Sequence, residues 1–226
     1  MIKTILKNSY IQKEITTHSA TVIFSHGLGD SGAGWIEVME EIQSRNNGHI
    51  RFICPNAPIQ AVTLNGGFKM PSWYDIKSLS SRGDEDPAQV DESKNIIETI
   101  IKHEMEEEKI PAERIIIGGF SQGAALSLYT FYSQTETKLG GCIALSGYLP
   151  LATKFVANSL NKEQPLLMIH GDCDQVVRHQ WGKLSFDHLK SQGINGEFIT
   201  LKGLGHHSSP EEIDLMTKFI SKTLPK

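Results

Sequence analysis

The sequence lacks the features that mark membrane, secreted or nucleic-acid-binding proteins. No apolar run approaches the length of a membrane span, and the start of the chain, with Lys3 and Lys7 between short apolar stretches, lacks the uninterrupted core of a signal peptide. The 22 Lys and Arg against 26 Asp and Glu leave a net charge of −4, without a basic cluster dense enough to neutralise a row of phosphates. We therefore expect a soluble, cytoplasmic protein that binds no nucleic acid.

Cysteine is scarce as well. The three cysteines, Cys54, Cys142 and Cys173, are odd in number and far apart, and the first two fall in apolar runs that are typical of buried strands. These features argue against a disulfide framework, so we expect reduced thiols, in keeping with an intracellular protein.

What the sequence does have is a regular alternation of two hydrophobic patterns. Short runs rich in β-branched residues predict core strands at 21–24, 50–54, 114–117, 142–145, 166–169 and 197–201. Apolar residues at helical spacing predict helices at 35–45, 88–108, 122–132, 179–190 and 210–224. With 226 residues, 39% of them hydrophobic, we expect a single domain over 1–226. The alternation predicts an α/β fold with a mostly parallel sheet, helices on both faces and an antiparallel edge strand at 9–17.

The segment 57–81 interrupts this alternation. It contains Pro58, Gly66, Gly67 and Pro71, and it fits no regular element. It is also long for a connection, and loops of this length are usually either functional or disordered.

The motif G-F-S-Q-G at 119–123 predicts a nucleophilic serine. In the elbow of α/β hydrolases a strand turns sharply into a helix and strains the serine between them, so the residues two before and two after it must be small. Gly119 and Gly123 meet this need around Ser121, between an apolar strand and a helical pattern. Because composition alone predicts about 0.15 chance matches to G-x-S-x-G, these flanking elements carry the argument. The alternative is that the glycines only end a strand and Ser121 caps the helix.

A second serine, Ser31, lies in G-D-S-G-A, which resembles the nucleophile signature of trypsin-like proteases. Such a protease needs an all-β double barrel with a His and an Asp upstream of the serine. Here the segment before Ser31 is short and the pattern alternates strands with helices. We therefore reject Ser31 as the nucleophile.

The serine needs an imidazole to take its proton and a carboxylate to orient that imidazole, in the chain order Ser, acid, His. Asp172 and Asp174 follow the fifth predicted strand, and His206 and His207 follow the sixth. Like Ser121, they lie just past the carboxyl ends of strands, where sites assemble in open α/β sheets. Taken singly, each has a plain alternative as a turn, capping or exposed loop residue. The spacing leaves both acids and both histidines open.

A metal site is the competing interpretation of the same segment. His170, Asp172 and Cys173 could act as ligands together with the two later histidines. Such a site needs spaced clusters on matched elements, and the sequence contains neither H-E-x-x-H nor paired C-x-x-C. We therefore predict no metal.

The negative charge that develops on a substrate carbonyl oxygen requires two backbone N–H donors. In this fold one belongs to the residue after the nucleophile, Gln122, and the other to the loop after an early strand. That loop reads S-H-G-L-G-D, in which Gly27 and Gly29 let the backbone approach a ligand, so we expect Leu28 as the second donor. We expect His26 to hold the loop rather than to act as a base.

Several uncommon motifs stand in fixed order along the chain. They are H-G-L-G-D at His26, C-P-N-A-P at Cys54, M-P-S-W-Y-D at Met70, G-G-F-S-Q-G at Gly118, H-G-D-C-D at His170 and G-L-G-H at Gly203. Over about residues 20–224 the chain resembles the acyl-protein thioesterase group, also called lysophospholipase or carboxylesterase type 2, an α/β-hydrolase family.

This resemblance implies roles that the spacing left open. The implied residues are the nucleophile Ser121, the acid Asp174 rather than Asp172, the base His206 rather than His207, and the oxyanion donors Leu28 and Gln122. It also implies hydrolysis of thioesters or oxygen esters of long-chain acyl groups, including palmitoyl cysteine on proteins, without a metal or an organic cofactor.

The chain departs from the family pattern at a few positions. Gln175 stands where a proline usually follows the aspartate. Some relatives carry an acylated N-terminal cysteine, whereas the first cysteine here is Cys54 and the final T-L-P-K is no prenylation signal. We therefore expect no stable membrane anchor and at most transient membrane contact, with acylated proteins, lipids or small esters as substrates.

The segment between the fourth and fifth predicted strands is too short for a cap domain, so we expect an open, shallow site. Leu64, Phe68, Met70 and Trp73 in segment 57–81 are expected to form an apolar acyl groove, the alternative being that they pack in the core. Protein depalmitoylation leads over lysophospholipase or small-ester carboxylesterase activity. A non-catalytic hydrolase-fold binding protein is disfavoured, because such proteins typically lack a triad member or an elbow glycine and none is missing here.

Overall fold

The structure, a computed structural model, describes residues 2–78, 84–133, 136–157 and 160–226. Within these ranges the strands are β1 (Ser9–Gln12), β2 (Ala20–Ser25), β3 (Ile50–Pro55), β4 (Ile59–Val62), β5 (Phe68–Pro71), β6 (Ile115–Phe120), β7 (Gly141–Leu145), β8 (Leu166–Gly171) and β9 (Gly196–Leu201). The helices are α1 (Ile2–Lys7), α2 (Ala33–Ser44), α3 (Pro87–Glu106), α4 (Gln122–Ser133), α5 (His179–Ser191) and α6 (Pro210–Thr223). The predicted core strands and helices are all present, with bounds shifted by at most three residues.

Seven of the described strands form the main sheet, in the order β1-β3-β2-β6-β7-β8-β9. β1 pairs antiparallel with β3, and the other neighbours pair in parallel. This confirms the predicted sheet, although the edge strand is shorter than the segment 9–17. The chain runs outward from β2 to β3 and then resumes on the other side of β2 with β6. Such a reversal of strand order opens a crevice at the carboxyl ends of the two strands, where α/β proteins bind ligands.

Helices cover both faces of the sheet, as predicted. Buried side chains of α2 and α6 pack on one face, and those of α3, α4 and α5 pack on the other. Successive residues of a strand point to opposite faces, so Ile115 and Ile117 of β6 join one core and Ile116 joins the other. Both faces of the central strands are therefore apolar, which explains their continuous hydrophobic runs.

The prediction that segment 57–81 fits no regular element is wrong for its described part. β4 and β5 form an antiparallel hairpin in which Val62 pairs with Phe68. Gly66 and Gly67 close the turn with φ of 66° and 81°, a region that favours glycine. Both strands are only four residues long and largely exposed, so their apolar residues give too short a pattern to predict them. Residues 79–81 lie outside the described ranges.

The remaining connections are simple. The described residues between β7 and β8 form turns, without a helix or a strand that could begin a cap. Cys54 and Cys142 are buried, Cys173 is exposed, and all three are free thiols. Across the described ranges, no helix is both long enough and apolar enough to cross a membrane.

Candidate active site

Ser121 lies at the sharp turn between β6 and α4. Its φ is 55°, in the left-handed region that costs a residue with a Cβ free energy. Its backbone N–H donates to the carbonyl oxygen of Leu145 at 2.8 Å, which ties the turn to the neighbouring strand β7. The serine is thus held in a strained conformation at the carboxyl end of a central strand.

The two glycines around Ser121 have no room for a side chain. A Cβ at Gly123 would lie 2.1 Å from the carbonyl oxygen of Ser25, and a Cβ at Gly119 would lie 2.5 Å from the carbonyl carbon of Gly123. Because Gly123 touches the end of β2 directly, the start of α4 and the loop after β2 come close together. The small residues therefore bring Ser121 to the crevice between β2 and β6.

The ring of His206 lies between Ser121 and Asp174. Its Nε2 is 3.0 Å from Oγ of Ser121, and its Nδ1 is 2.7 Å from Oδ2 of Asp174. Asp174 follows β8 and its side chain is fully buried, whereas the side chain of His206, after β9, is 16% exposed. The order hydroxyl, imidazole, carboxylate is the arrangement that activates a serine nucleophile.

Asp174 keeps its negative charge although it is buried. Burial by itself would raise the pKa of its carboxyl group, but hydrogen bonds from His170 and His206 hold that pKa well below its usual range. Since a carboxylate only accepts, Nδ1 of His206 carries the proton and Nε2 is left to accept one from Ser121. The backbone N–H groups of Val176 and Val177 donate to Oδ1 of Asp174, each at 2.9 Å.

The alternative acid and base that the spacing left open lie elsewhere. Asp172 is exposed, and its Oδ1 accepts the backbone N–H of Gly203 at 2.6 Å. His207 is exposed, and its Nδ1 lies 3.0 Å from the carbonyl oxygen of Ser208. In the described ranges, no group of three or more His, Cys, Asp or Glu side chains could hold a metal ion.

The two residues expected to stabilise an oxyanion line one cavity with Ser121. Leu28 lies in the loop after β2, and Gln122 is the first residue of α4, so its backbone N–H has no carbonyl partner within the helix. The Gln122 side chain is engaged elsewhere: its Oε1 accepts the backbone N–H of Trp73 at 3.0 Å, and its Nε2 donates to the carbonyl of Tyr74 at 2.7 Å. The positive end of the α4 dipole also points to this crevice.

His26 is buried and holds the loop that carries Leu28. Its Nδ1 donates to the carbonyl of Gly27 at 2.7 Å, and its Nε2 accepts the backbone N–H of Ala57 at 3.0 Å. Burial lowers the pKa of this imidazole, because the charged ring would lose its water. Both ring nitrogens are occupied by backbone groups, which fits the structural part expected for His26 and not that of a base.

A cavity of about 330 Å³ opens beside Ser121. Its lining includes the apolar side chains of Leu28, Leu64, Ile76, Phe120, Val176 and Val177, together with Tyr148. Leu64, one of the expected groove residues, lies in this lining. The N–H of Leu64 donates to the carbonyl of Ile76 at 2.8 Å, which ties these two lining residues together.

The other three expected groove residues lie outside this lining, which corrects the prediction. Trp73 is 1% exposed, and its indole N–H donates to the carbonyl of His26 at 2.8 Å, so it is a packing residue. Phe68 is 76% exposed on the hairpin, and the sulfur of Met70 accepts an N–H of Asn65 at 3.2 Å. Tyr148 was missed, although its position just after β7 follows the rule that places sites at carboxyl strand ends.

Comparison with known proteins identifies the family of this chain. Residues 6–224 match the model of a family described as phospholipase/carboxylesterase. The chain belongs to the phospholipase/carboxylesterase family. Its match covers each residue of the Ser121, His206 and Asp174 arrangement.

Several relatives of this chain are named as thioesterases. Acyl-protein thioesterase 1 of Neurospora crassa is 42% identical over 222 residues, which cover 94% of this chain and 90% of the relative. Acyl-protein thioesterase 1 homolog 2 of Dictyostelium discoideum is 42% identical over 217 residues, covering 95% and 97%. The crystal structure of Zea mays acyl-protein thioesterase 2 has a TM-score of 0.82 and 31% identity, covering 96% of this chain and 98% of that one. The chain is therefore a hydrolase of the esterase and thioesterase class with the predicted α/β-hydrolase fold.

Proposed function

We propose that this chain hydrolyses thioesters and oxygen esters of long-chain acyl groups, including palmitoyl groups on protein cysteines. The observation that carries the proposal is the ring of His206, with Nε2 3.0 Å from Oγ of Ser121 and Nδ1 2.7 Å from Oδ2 of Asp174. A hydroxyl, an imidazole and a carboxylate in this order serve acyl transfer, in which the serine carries the acyl group between two steps.

In the first step Oγ of Ser121 attacks the carbonyl carbon while Nε2 of His206 takes the hydroxyl proton. The imidazolium that forms is stabilised by the charged Asp174, which the fully buried position shields from water. When the tetrahedral intermediate collapses, the C–S or C–O bond breaks and Nε2 gives its proton to the leaving thiol or alcohol. Ser121 then carries the acyl group as an ester.

The second step reverses these roles with water as the nucleophile. Nε2 of His206 takes a proton from water, the resulting hydroxide adds to the acyl carbon, and the bond to Oγ breaks. Nε2 returns the proton to Ser121, and the carboxylic acid leaves. In both steps the backbone N–H groups of Leu28 and Gln122 are proposed to stabilise the charge on the carbonyl oxygen, since both residues line the same cavity as Ser121.

The lining of the cavity supports a long acyl chain as the preferred group. Leu64, Ile76 and Val177 present aliphatic side chains beside Ser121, and burying an acyl methylene against such surface stabilises binding by about 0.8 kcal/mol. The absence of a helix or strand in the described residues between β7 and β8 leaves the nucleophile approachable by a large leaving group. The names of the thioesterase relatives favour an acylated protein as the substrate, with its cysteine thiol as that leaving group.

Side-by-side rates on three substrates test the proposal. We expect a palmitoylated cysteine peptide to be cleaved with a higher kcat/KM than lysophosphatidylcholine or a short p-nitrophenyl ester. Ser121→Ala, assayed in parallel, should lose at least about 10⁴-fold in kcat on all three substrates. A preference for lysophosphatidylcholine would replace protein thioesters by lysophospholipids as the substrate class. Retained turnover in Ser121→Ala would reject the proposed mechanism itself.

A further inference from the structure

In addition to His206 and the two backbone amides, a third group contacts the carboxylate of Asp174. Nε2 of His170 lies 3.4 Å from the same Oδ2 that accepts from His206. His170 is the residue before the end of β8, is 1% exposed, and has no part in the proton transfers of the proposed mechanism. A buried imidazole against the orienting acid therefore needs its own explanation.

The hydrogen bonds fix which nitrogen of His170 carries the proton. Nε2 lies 2.7 Å from the carbonyl oxygen of Val177, and a carbonyl only accepts, so Nε2 is the donor. The same N–H faces Oδ2 of Asp174 on its other side. Since the N–H of Val177 donates to Oδ1 of Asp174, His170 closes a ring of contacts around the turn 174–177.

The rest of the His170 ring is clamped by packing. The ring of His179 meets it edge-on with centroids 5.7 Å apart, and the ring of Phe198 stacks against it at 6.5 Å. A Cβ at Gly182 would lie 2.3 Å from Nδ1, so α5 reaches the ring only because it has glycine there. Among the described residues Nδ1 has no hydrogen-bond partner. In the described part of the chain, the polar contacts of this side chain are therefore those of Nε2–H, with the carbonyl of Val177 and with Oδ2 of Asp174.

We propose that His170 is a positioning residue that fixes the carboxylate of Asp174 for His206. Its Nε2–H holds the carbonyl of Val177, which sets the turn that supplies two amides to Oδ1, and it limits rotation of Oδ2 away from His206. This inference rests on the proposed function, because it assigns His170 an effect only on the step that His206 performs. Displacing a catalytic group by about 1 Å can cost on the order of 100-fold in rate, so a contact that fixes the Asp174 carboxylate can change kcat measurably.

Two substitutions at position 170 and one control test the inference. His170→Leu replaces the imidazole by an apolar side chain and so removes the donor, and we expect kcat on a short p-nitrophenyl ester to fall on the order of 10- to 100-fold while KM changes less than about threefold. His170→Gln places an amide N–H near the position of Nε2 and should recover most of this loss. His49→Leu removes another buried imidazole, which lies just before β3, at the end of the sheet away from Ser121, and hydrogen-bonds the carbonyl of Leu224, so its kcat should stay within about twofold of the wild type.

Proton NMR supplies a readout that a merely structural role would not move. The Nδ1 proton of His206, in its short hydrogen bond to Asp174, gives a low-field resonance that is assigned by its loss in His206→Gln. We expect this resonance to broaden or move upfield in His170→Leu, and to persist in His170→Gln and His49→Leu. If His170→Leu does not fold, Gly182→Ala takes its place, because the new Cβ must displace the His170 ring and should lower kcat at constant KM.

The results separate this inference from the proposed function. If Ser121→Ala loses activity but His170→Leu, or Gly182→Ala in its place, has the kcat and the low-field resonance of the wild type, the positioning role is wrong and the mechanism stands. A folded His170→Gln as slow as His170→Leu would also overturn it, since the donor would then not be what matters. If Ser121→Ala keeps its activity, the proposed function fails whatever His170 does.

Discussion

Asp172 and Asp174 lie two residues apart, yet only Asp174 contacts an imidazole. Its Oδ2 accepts from Nδ1 of His206 at 2.7 Å, whereas Oδ1 of Asp172 accepts the backbone N–H of Gly203 at 2.6 Å. Both carboxylates therefore act on the loop after β9, one through a side chain and the other through the backbone. Substitutions at these two positions separate orientation of the ring from support of the loop that carries it.

Asp174→Asn is expected to lower kcat on the order of 10³- to 10⁴-fold. An amide bears no charge to stabilise the imidazolium, and its NH₂ group can face Nδ1 and favour the wrong tautomer of His206. Asp172→Asn should keep kcat within about tenfold of the wild type, since the amide oxygen can still accept from Gly203. The measurement is kcat on a p-nitrophenyl ester for both variants. Equal losses would show that the two acids are not distinguished as proposed.

His206 and His207 form a second pair of neighbours with different surroundings. His206→Ala removes the ring that contacts Oγ of Ser121, and we expect kcat to fall on the order of 10⁵- to 10⁶-fold. His207→Ala is the matched control, because that ring is exposed and its Nδ1 faces the carbonyl of the next residue, Ser208. It should keep wild-type kcat within about threefold. A larger loss in His207→Ala than in His206→Ala would show that His207, and not His206, is the base.

Leu64 and Phe68 test which part of segment 57–78 contacts the acyl chain. Leu64→Trp should narrow the cavity and lower kcat/KM for palmitoyl esters at least about tenfold more than for acetyl esters, since each displaced methylene costs about 0.8 kcal/mol. Phe68→Ala, outside the lining, should leave the ratio of the two rates unchanged. The measurement is a chain-length series from acetyl to palmitoyl under conditions that keep every substrate monomeric. Equal loss across the series in Leu64→Trp would place the acyl chain elsewhere.

Glu212 predicts a stability that falls as the pH rises. It lies in the first turn of α6, its side chain is fully buried, and neither carboxyl oxygen has a hydrogen-bond partner among the described residues. Burial raises its pKa from 4.5 to about 8. Between these values the folded protein keeps a proton that the unfolded chain releases, so the contribution of Glu212 is complete below the lower value and is lost towards about 8.

The free energy of unfolding, measured by urea denaturation across this pH window, checks the prediction. In the wild type Glu212 should contribute a downward slope of up to about 1.4 kcal/mol per pH unit. Glu212→Gln cannot titrate and should flatten the slope, whereas Glu211→Gln, at the exposed neighbouring position, should not. Equal slopes in the wild type and Glu212→Gln would mean that Glu212 ionises normally in the folded protein.

The sheet and the order of the site residues could be predicted from the sequence because their signals are local. Strands such as β6 and β8 are buried on both faces, so their residues form continuous apolar runs. Gly119 and Gly123 mark the elbow because backbone groups fill the space of a side chain at both positions. The choice of Asp174 over Asp172 depends on which carboxylate faces His206. That is set by the turn 174–177, which contacts His170 of β8 and His206 after β9.

The hairpin and the burial of Trp73 could not be predicted in the same way. β4 and β5 are exposed and only four residues long, too short for a pattern to identify them, and it is their pairing with each other that makes them strands. Trp73 is an aromatic residue in a polar segment, which is equally typical of a groove or a core. Its position is decided by the carbonyl of His26 and the side chain of Gln122, both far away along the chain.

Covalent labelling of Ser121 tests the proposed mechanism most directly. A fluorophosphonate probe reacts with a serine only where a neighbouring base activates it, so it separates an active hydrolase from a binding protein with the same fold. We expect one adduct per chain, mapped by mass spectrometry to the peptide that contains Ser121, absent from Ser121→Ala and formed far more slowly in His206→Ala. A wild-type protein that hydrolyses esters while its adduct maps to another residue, or that takes no label, would contradict the mechanism.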